Sequence, residues 1–250
     1  MDYINEKIKK IPVIINAAVV VVGGGPAGVG AAIRAARSGF ETVIIERFGS
    51  LGGFITNGYM SIGISQKHLP EEIYMRLRKG GYIVNLFEKY PDLSSDPFVH
   101  YSISTDKELT KNKKLLAFDP DMCSCIINEM LEETNVKIKL DTLFVDASVE
   151  DGSIKAVIIE NASGRQAIKG RIYIDTTGRA DVIARTGAPY IHPANELGKP
   201  TPMGLMWRMS GVDYAKFLEY QKEDPKLNNL IGKAKKNGKL PYYRPKKTEK

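Results

Sequence analysis

Residues 18–46 read AVVVVGGGPAGVGAAIRAARSGFETVIIE, and this stretch decides the fold. Its first five residues are apolar and Val-rich and run straight into glycines, the pattern of a central parallel strand buried on both faces. Beyond the glycines, small residues at Ala32 and Ala36 alternate with the long polar Arg34 and Arg37. Residues 29–38 therefore predict a helix packed closely on the sheet and closed by Gly39. Residues 42–45 form a second apolar, β-branched run that ends on Glu46. Strand, helix and strand at this spacing predict a right-handed crossover, and hence an α/β fold.

The turn Gly23-Gly24-Gly25-Pro26-Ala27-Gly28 fits the pattern G-x-G-x-x-G. In such a turn Gly23 permits the sharp exit from the strand, Gly25 lets the main chain approach a diphosphate, and Gly28 lets the helix pack on the sheet. The helix offers unpaired N–H groups and the positive end of its dipole, so the anion needs no lysine. Glu46 stands where an acid accepts hydrogen bonds from a ribose, and its charge disfavours a 2′-phosphate, which argues against NADP. Strand, turn, helix and acid together predict a dinucleotide site.

Residues 19–46 resemble the N-terminal fingerprint of the FAD-dependent oxidoreductases of the glutathione-reductase and succinate-dehydrogenase-like superfamily. Arg47 and Leu51-Gly52-Gly53-Phe54-Ile55-Thr56 are similar to that superfamily's second glycine turn, and Asp175-Thr176-Thr177-Gly178-Arg179-Ala180-Asp181-Val182 to its A-T-G-type motif. Among subfamilies the pattern is most similar to the heterodisulfide reductase A-like FAD-dependent oxidoreductases. The resemblance implies FAD as cofactor in a three-layer Rossmann-like domain of parallel sheet, helices and β-meander crossover. It implies that Gly23, Gly25, Pro26, Ala27, Gly28, Glu46, Arg47, Gly53 and Thr56 line the cofactor and that Thr177 and Gly178 add backbone contacts. Main-chain atoms near Phe144 or Val145 would meet the adenine. Family members run well beyond 250 residues and supply a further glycine-containing segment against the flavin. The expectation is thus an N-terminal portion, with a partner chain completing the flavin site. Some relatives carry iron–sulfur clusters, but the two cysteines of this chain cannot supply the four thiolates a cluster normally requires.

Residues 48–116 have a weaker pattern, and 66–114 read as an insertion with a charged helix over 71–78. Its aromatic residues Phe87, Tyr90, Phe98 and Tyr101 suit a satellite core. Asp119, Pro120 and Asp121 supply an N-cap, a first-turn proline and an acid, opening a helix that runs to Thr134 with Asn135 as its stop. Residues 136–140, 143–149, 154–160 and 166–174 read as strands. Tight turns at Asp151-Gly152 and Ser163-Gly164 make an antiparallel meander, followed by a return strand over 171–174. After Gly187 come Pro189, Pro193, Pro200 and Pro202, a strand candidate over 204–209, and a charged helical stretch. These boundaries give a dinucleotide-binding domain over 17–187 and the start of a substrate domain with a basic tail over 188–250.

Charge excludes little once it is located. The net charge is +7, but residues 221–250 hold ten Lys/Arg against three Asp/Glu, while residues 1–220 balance at 26 against 26. A basic terminal run without a recognition fold is a solvated segment, so no nucleic-acid partner is expected. The uncharged stretch over 11–33 is interrupted by Pro12, Asn16, the glycines and Pro26, which argues against a membrane span. Cys123 and Cys125 read as core or near-core thiols without redox or zinc spacing, and a reducing cytoplasm is the simpler location. His68, His100 and His192 have no metal-ligand spacing, so no metal is expected. His192 and Arg208 could orient an acidic or carbonyl substrate, and Tyr59 and Ser61 could face the flavin, although surface or loop packing accounts for all four.

In a flavoenzyme the cofactor carries the redox chemistry, so no nucleophile need appear, and no catalytic residue is assigned. The reading is FAD-dependent oxidation or reduction of a small organic substrate. Two alternatives stand beside it: a non-catalytic or partner-requiring flavin-binding module, and an NAD-linked dehydrogenase, for which no hydride-transfer residues are found.

Overall fold

The computed structural model describes Asp2 and residues 10–61, 71–89, 116–191, 204–206, 208–224 and 227–239. His68, Tyr90, Phe98, His100, Tyr101, His192, Pro193, Pro200, Pro202 and the tail over 240–250 lie outside these residues. In chain order the described elements begin with β1 (Val13–Val22), α1 (Pro26–Arg37), β2 (Thr42–Ile45), a 3₁₀ turn (Gly53–Ile55) and α2 (Glu71–Lys79). There follow β3 (Ile83–Asn85), α3 (Leu86–Lys89), β4 (Leu116–Phe118), α4 (Pro120–Glu132) and β5 (Lys137–Lys139). The last are β6 (Leu143–Glu150), β7 (Ser153–Asn161), β8 (Gly164–Asp175), α5 (Asp181–Thr186), α6 (Tyr214–Glu223) and α7 (Asn228–Lys236).

The main sheet has the order β5-β2-β1-β8-β7-β6, and β3 and β4 form a separate ribbon. β5, β2, β1 and β8 are parallel, while β7 and β6 extend the sheet antiparallel. The crossover legible over 18–46 is present: Val19 to Val22 of β1 pair with Thr42 to Ile45 of β2. α1 starts at Pro26, ahead of the predicted Val29, because a proline at the first position has its φ preset for a helix and loses no bond there. α4 begins as read from Asp119, whose side chain accepts from the N–H groups of Asp121 and Met122.

Alternation along the strands builds three layers. Val19 and Val21 of β1 and Ile44 of β2 face α1, α2 and α4, in a core with Val29, Ala32, Ile33, Ile73, Leu77, Ile127 and Leu131. Val20, Val22, Val43 and Ile45 face the other way, against Val157, Ile159 and Ile168 of the meander and Val182 of α5. α2 belongs to the segment read as an insertion, yet its Ile73 and Leu77 are fully buried in the first of these cores.

The meander and its return strand are one continuous element. β8 pairs with β7 from Gly164 to Ile168 and with β1 from Ala167 to Asp175. At the changeover, the N–H of Gly170 donates to the Tyr173 hydroxyl at 2.7 Å. The strand predicted over 204–209 is a correction, for residues 204–206, 208 and 209 form none. An apolar run becomes a strand only where a neighbour satisfies its backbone groups. Cys125 is a second correction. It is exposed while Cys123 is buried, because two helical positions are about 200° apart. Burial pushes the Cys123 thiol up to about 12.

The described residues divide into two compact units, Met1–Ile83 with Phe118–Met206, and Val84–Ala117 with Trp207–Lys250. In the second, the Asp213 side chain accepts from the Lys216 N–H at the start of α6. The buried Asp224 accepts from the N–H groups of Asn229 and Leu230 at the start of α7. No helix among the described residues is long and apolar enough to cross a membrane.

α2 is tied to the first unit at the surface as well. Glu72 pairs with Arg37 of α1 at 2.6 and 2.9 Å and with Arg76 at 2.9 Å, and Arg76 reaches Glu133 at 2.6 Å. The Arg37 guanidinium, followed by that of Arg76, draws the Glu72 carboxyl down to about 2. A carboxyl depressed in the folded state stabilises above its usual value of 4.5 and ceases to do so as pH falls towards 2. These groups are more than a third exposed apart from Arg76, so solvent screening holds the contribution to about 1 kcal/mol. Glu72→Gln is expected to lower Tm at neutral pH by roughly 2–4 °C. The difference from wild type should shrink with added salt and as the melts are repeated from pH 4.5 downwards.

Candidate functional site

Gly23 follows β1, Glu46 follows β2 and Thr176 follows β8, so three parallel strands end together beside the N-terminus of α1. A cleft of about 640 Å³ opens there. Its walls are Gly23, Gly25, Pro26 and Ala27 of the first glycine turn, Glu46, Arg47 and Phe48 after β2, Gly53, Phe54, Asn57 and Gly58 of the second turn, and Thr176, Thr177 and Gly178 after β8. A smaller pocket of about 50 Å³ shares Gly23, Glu46, Arg47 and Thr177 and adds Thr142, Leu143, Phe144 and Asp181.

The three glycines of the motif separate by what each one meets. Gly23 has φ +105°, and a Cβ there would run into the carbonyl of Thr176. A Cβ on Gly28 would overlap the Gly23 carbonyl oxygen, so that position is set by the approach of α1 to the turn. Gly25 has an ordinary φ of −69°, and nothing in the protein lies within 4 Å of a Cβ built on it. Protein packing demands Gly23 and Gly28, whereas the position of a Cβ on Gly25 is open and the residue lines the cleft.

Electrostatics at that space favour an anion. Gly25 is the N-cap of α1 and brings no capping side chain, Pro26 follows, and no acid stands in the first turn. The unclaimed N–H groups of the first turn and the helix dipole therefore act on the cleft. The Arg47 guanidinium lies over the Phe48 ring, 4.6 Å from its centroid, and lines both cavities.

Glu46 does more than sequence reasoning assigns it. It is buried, with Oε2 accepting from the Gly24 N–H at 2.6 Å and Oε1 from the Phe48 N–H at 2.9 Å. Each carboxylate oxygen keeps a lone pair beyond these bonds. The Gly24 carbonyl in turn accepts from the Gly52 N–H at 2.8 Å, so the second glycine turn is docked on the first.

Gly23, Gly25, Pro26, Ala27, Glu46, Arg47, Gly53, Thr177 and Gly178 are thus brought together around one cavity. Gly28 and Thr56 stand one layer behind. Thr56 is buried, and its hydroxyl donates to the Leu51 carbonyl at 2.6 Å, holding the second turn in shape. Val145 lines neither cavity; the ladder shifts register between Phe144 and Asp146, and it is Phe144 that reaches the smaller pocket. Tyr59 and Ser61 line neither cavity either, and the Ser61 carbonyl accepts from the Phe118 N–H at 3.0 Å. Sequence reasoning assigned no site role to Phe48, Asn57 or Thr142, nor to Asp181 beyond its place in the A-T-G-type motif. The one local signal among them is Asn57, whose amide donates to the Ser50 carbonyl at 3.0 Å across a glycine-rich loop. Among the described residues no group of three or more His, Cys, Asp or Glu could hold a metal ion.

A family model described as FAD dependent oxidoreductase matches residues 18–249. The chain belongs to this family. FAD is accordingly the cofactor of this flavoprotein. Dihydrolipoyl dehydrogenase of Vibrio parahaemolyticus is 56% identical to it over 43 residues, 17% of this chain and 9% of that protein. The mitochondrial dihydrolipoyl dehydrogenase of Pisum sativum is 56% identical over 39 residues, 16% of this chain and 8% of that one. Among solved structures, L-proline dehydrogenase from P. horikoshii is 18% identical, with a TM-score of 0.44 over 71% of this chain and 57% of that chain. L-amino acid deaminase from Proteus vulgaris is 19% identical, with a TM-score of 0.41 over 68% and 49%. The flavoprotein thus spans less than a tenth of the curated relatives it matches and about half of these solved chains.

The contrast among the glycines is measurable without cofactor. Gly23→Ala and Gly28→Ala are each expected to cost about 2 kcal/mol or more through strain and overpacking, a fall in Tm of roughly 4–8 °C in thermal melts of the apoprotein. Gly25→Ala should melt within about 1–2 °C of wild type, since surface changes that touch nothing stay within roughly ±0.5 kcal/mol.

Proposed function

We propose that this protein uses FAD to oxidise or reduce a small organic substrate, with the dinucleotide seated in the cleft between the two glycine turns and the end of β8. The observation that carries the reading is the room kept at Gly25 beside an uncapped helix N-terminus. In the seat proposed, Gly23, Gly25, Pro26 and Ala27 present main chain to the pyrophosphate, and Glu46 takes a ribose hydroxyl on its remaining lone pairs. Arg47 and Gly53 flank the cofactor, Thr177 and Gly178 meet it through backbone, and the main chain at Phe144 and Val145 stands at the adenine end. Gly28 and Thr56 hold the two turns that do the binding. When bound, FAD supplies the electron or hydride transfer, while the protein supplies orientation, electrostatics and exclusion of water.

Two further parts belong to the same proposal. Residues 17–187, with the insertion over 66–114, form the FAD-binding domain, and residues 188–250 begin the substrate domain. The location is the cytoplasm, supported by two cysteines that are both free thiols.

Purified protein titrated with FAD should take up about one equivalent, show the visible flavin bands and lose them on adding a reductant. Gly25→Val, which puts a branched side chain into the open space, should weaken FAD binding at least tenfold while the protein still melts cooperatively. Equal FAD affinity in folded wild type and Gly25→Val would sink the reading.

A further inference from the structure

We infer that Asp175 is a positioning residue for this cleft, one that sets the main chain of Thr177 and Gly178 without lining the cavity itself; the inference rests on the FAD reading above. Asp175 is the last residue of β8. Its carboxylate accepts four hydrogen bonds that point two ways. Oδ1 takes the Thr177 N–H at 3.0 Å and the Thr177 hydroxyl at 2.8 Å. Oδ2 takes the N–H groups of Val182 and Ile183 at 2.9 and 3.1 Å, in the first turn of α5. The Thr177 hydroxyl, its proton committed to Asp175, accepts from the Asp181 N–H at 2.8 Å.

These bonds close a ring around residues 175–183. Inside it the chain turns through Gly178 at φ +76° and Ala180 at φ +55°. Ala180 is the N-cap of α5, with a side chain that cannot accept a hydrogen bond and a left-handed backbone that costs a residue bearing a Cβ. Asp175 performs the capping from five residues away, and the same group fixes Thr177, which lines both cavities. The turn therefore has its shape imposed from behind, and the face it offers the cofactor follows from that shape.

Acceptance at both oxygens is what the arrangement needs. A carboxamide in place of the carboxylate accepts at one oxygen and donates from its nitrogen, so it would set an N–H against either Thr177 or the α5 amides. A residue serving only as a distant helix cap would be indifferent to the Thr177 hydroxyl. A positioning residue would not be, because that hydroxyl is the link between carboxylate and cleft.

The test is a FAD titration of the full chain, followed by flavin fluorescence and paired with melts of the apoprotein. Asp175→Asn should weaken FAD binding about tenfold in protein that still melts cooperatively, and Thr177→Val about fivefold. The double variant should bind no worse than Asp175→Asn alone, and Thr177→Ser, which keeps the hydroxyl, should bind as wild type does. If Asp175→Asn does not fold, Thr177→Val and Thr177→Ser decide: a loss restored by serine supports the inference, and equal affinity in both and in wild type overturns it. An Asp175→Asn protein with lowered Tm and wild-type FAD affinity overturns it as well. A wild-type chain that takes up no FAD overturns the cofactor reading and this inference with it, whereas uptake by wild type with an indifferent Asp175→Asn overturns the inference alone.

Discussion

The carbonyl oxygen of Gly23 is where the strand ends are joined. The Thr176 hydroxyl donates to it at 2.7 Å, and the Thr176 N–H bonds the preceding carbonyl of Val22 at 2.8 Å, so the end of β8 is fastened to the end of β1. The Gly23 N–H donates to Ile45 at 2.8 Å, which fastens β2 to the same point. α1 then passes so close that only a residue without a Cβ fits at Gly28. A side chain at either glycine would push apart elements whose apolar faces are otherwise in contact, and loss of packing in a dense interior is felt at the level of single methyl groups.

Because that junction consumes the polar groups of β1 and β8, the binding capacity of the site comes from what remains. α1 keeps an uncapped N-terminus, and Gly25 keeps a volume that no protein atom claims. Glu46 belongs to both, lining the cleft while its carboxylate is tied to the two loops. Burying a carboxylate costs several kcal/mol unless hydrogen bonds compensate, and here two backbone N–H groups do so, one from each loop it braces. The carboxylate therefore stands at the cavity already oriented by its own chain.

How much of this was legible follows from how far each signal reaches along the chain. β1 from Ala18 onward, α1 from Val29 and β2 were readable because the apolar runs and the glycine spacing are contained within thirty residues, whereas the first half of β1 from Val13 and the start of α1 at Pro26 were not read. The helix after Asp119 was readable from its cap and first turn for the same reason. The burial of α2 was not, since its charged sequence places only Ile73 and Leu77 inward, and the core they join is assembled from α1 and α4. β8 was legible as one run over 166–174, but its exchange of neighbours was hidden, because it pairs with β7 through one half and β1 through the other and no local pattern marks such a change. In the site, the motif residues were legible as letters, but Thr56 and Gly28 line no cavity and Phe48 and Thr142 do. That division is decided by which side of a turn each residue faces after the turns have docked.

The same exchange of neighbours explains why the cleft lies where it does. From β1 the chain moves through α1 to β2 and on to β5 on one side, then returns by way of the meander to place β8 on the other side of β1. Connections leave β1 in opposite directions, so the loops after β1, β2 and β8 cannot close over one another and a crevice stays open between them, as open α/β sheets provide at such a reversal. The meander does more than cover the second face of the sheet. The Thr142 N–H donates to the Glu46 carbonyl at 3.0 Å, which brings the start of β6 beside the acid and adds Leu143 and Phe144 to the smaller pocket. A strand layer that turned back elsewhere would still bury Val20, Val22, Val43 and Ile45, but it would leave Glu46 facing water on that side. The position of the meander is therefore a requirement of the site as much as of the core.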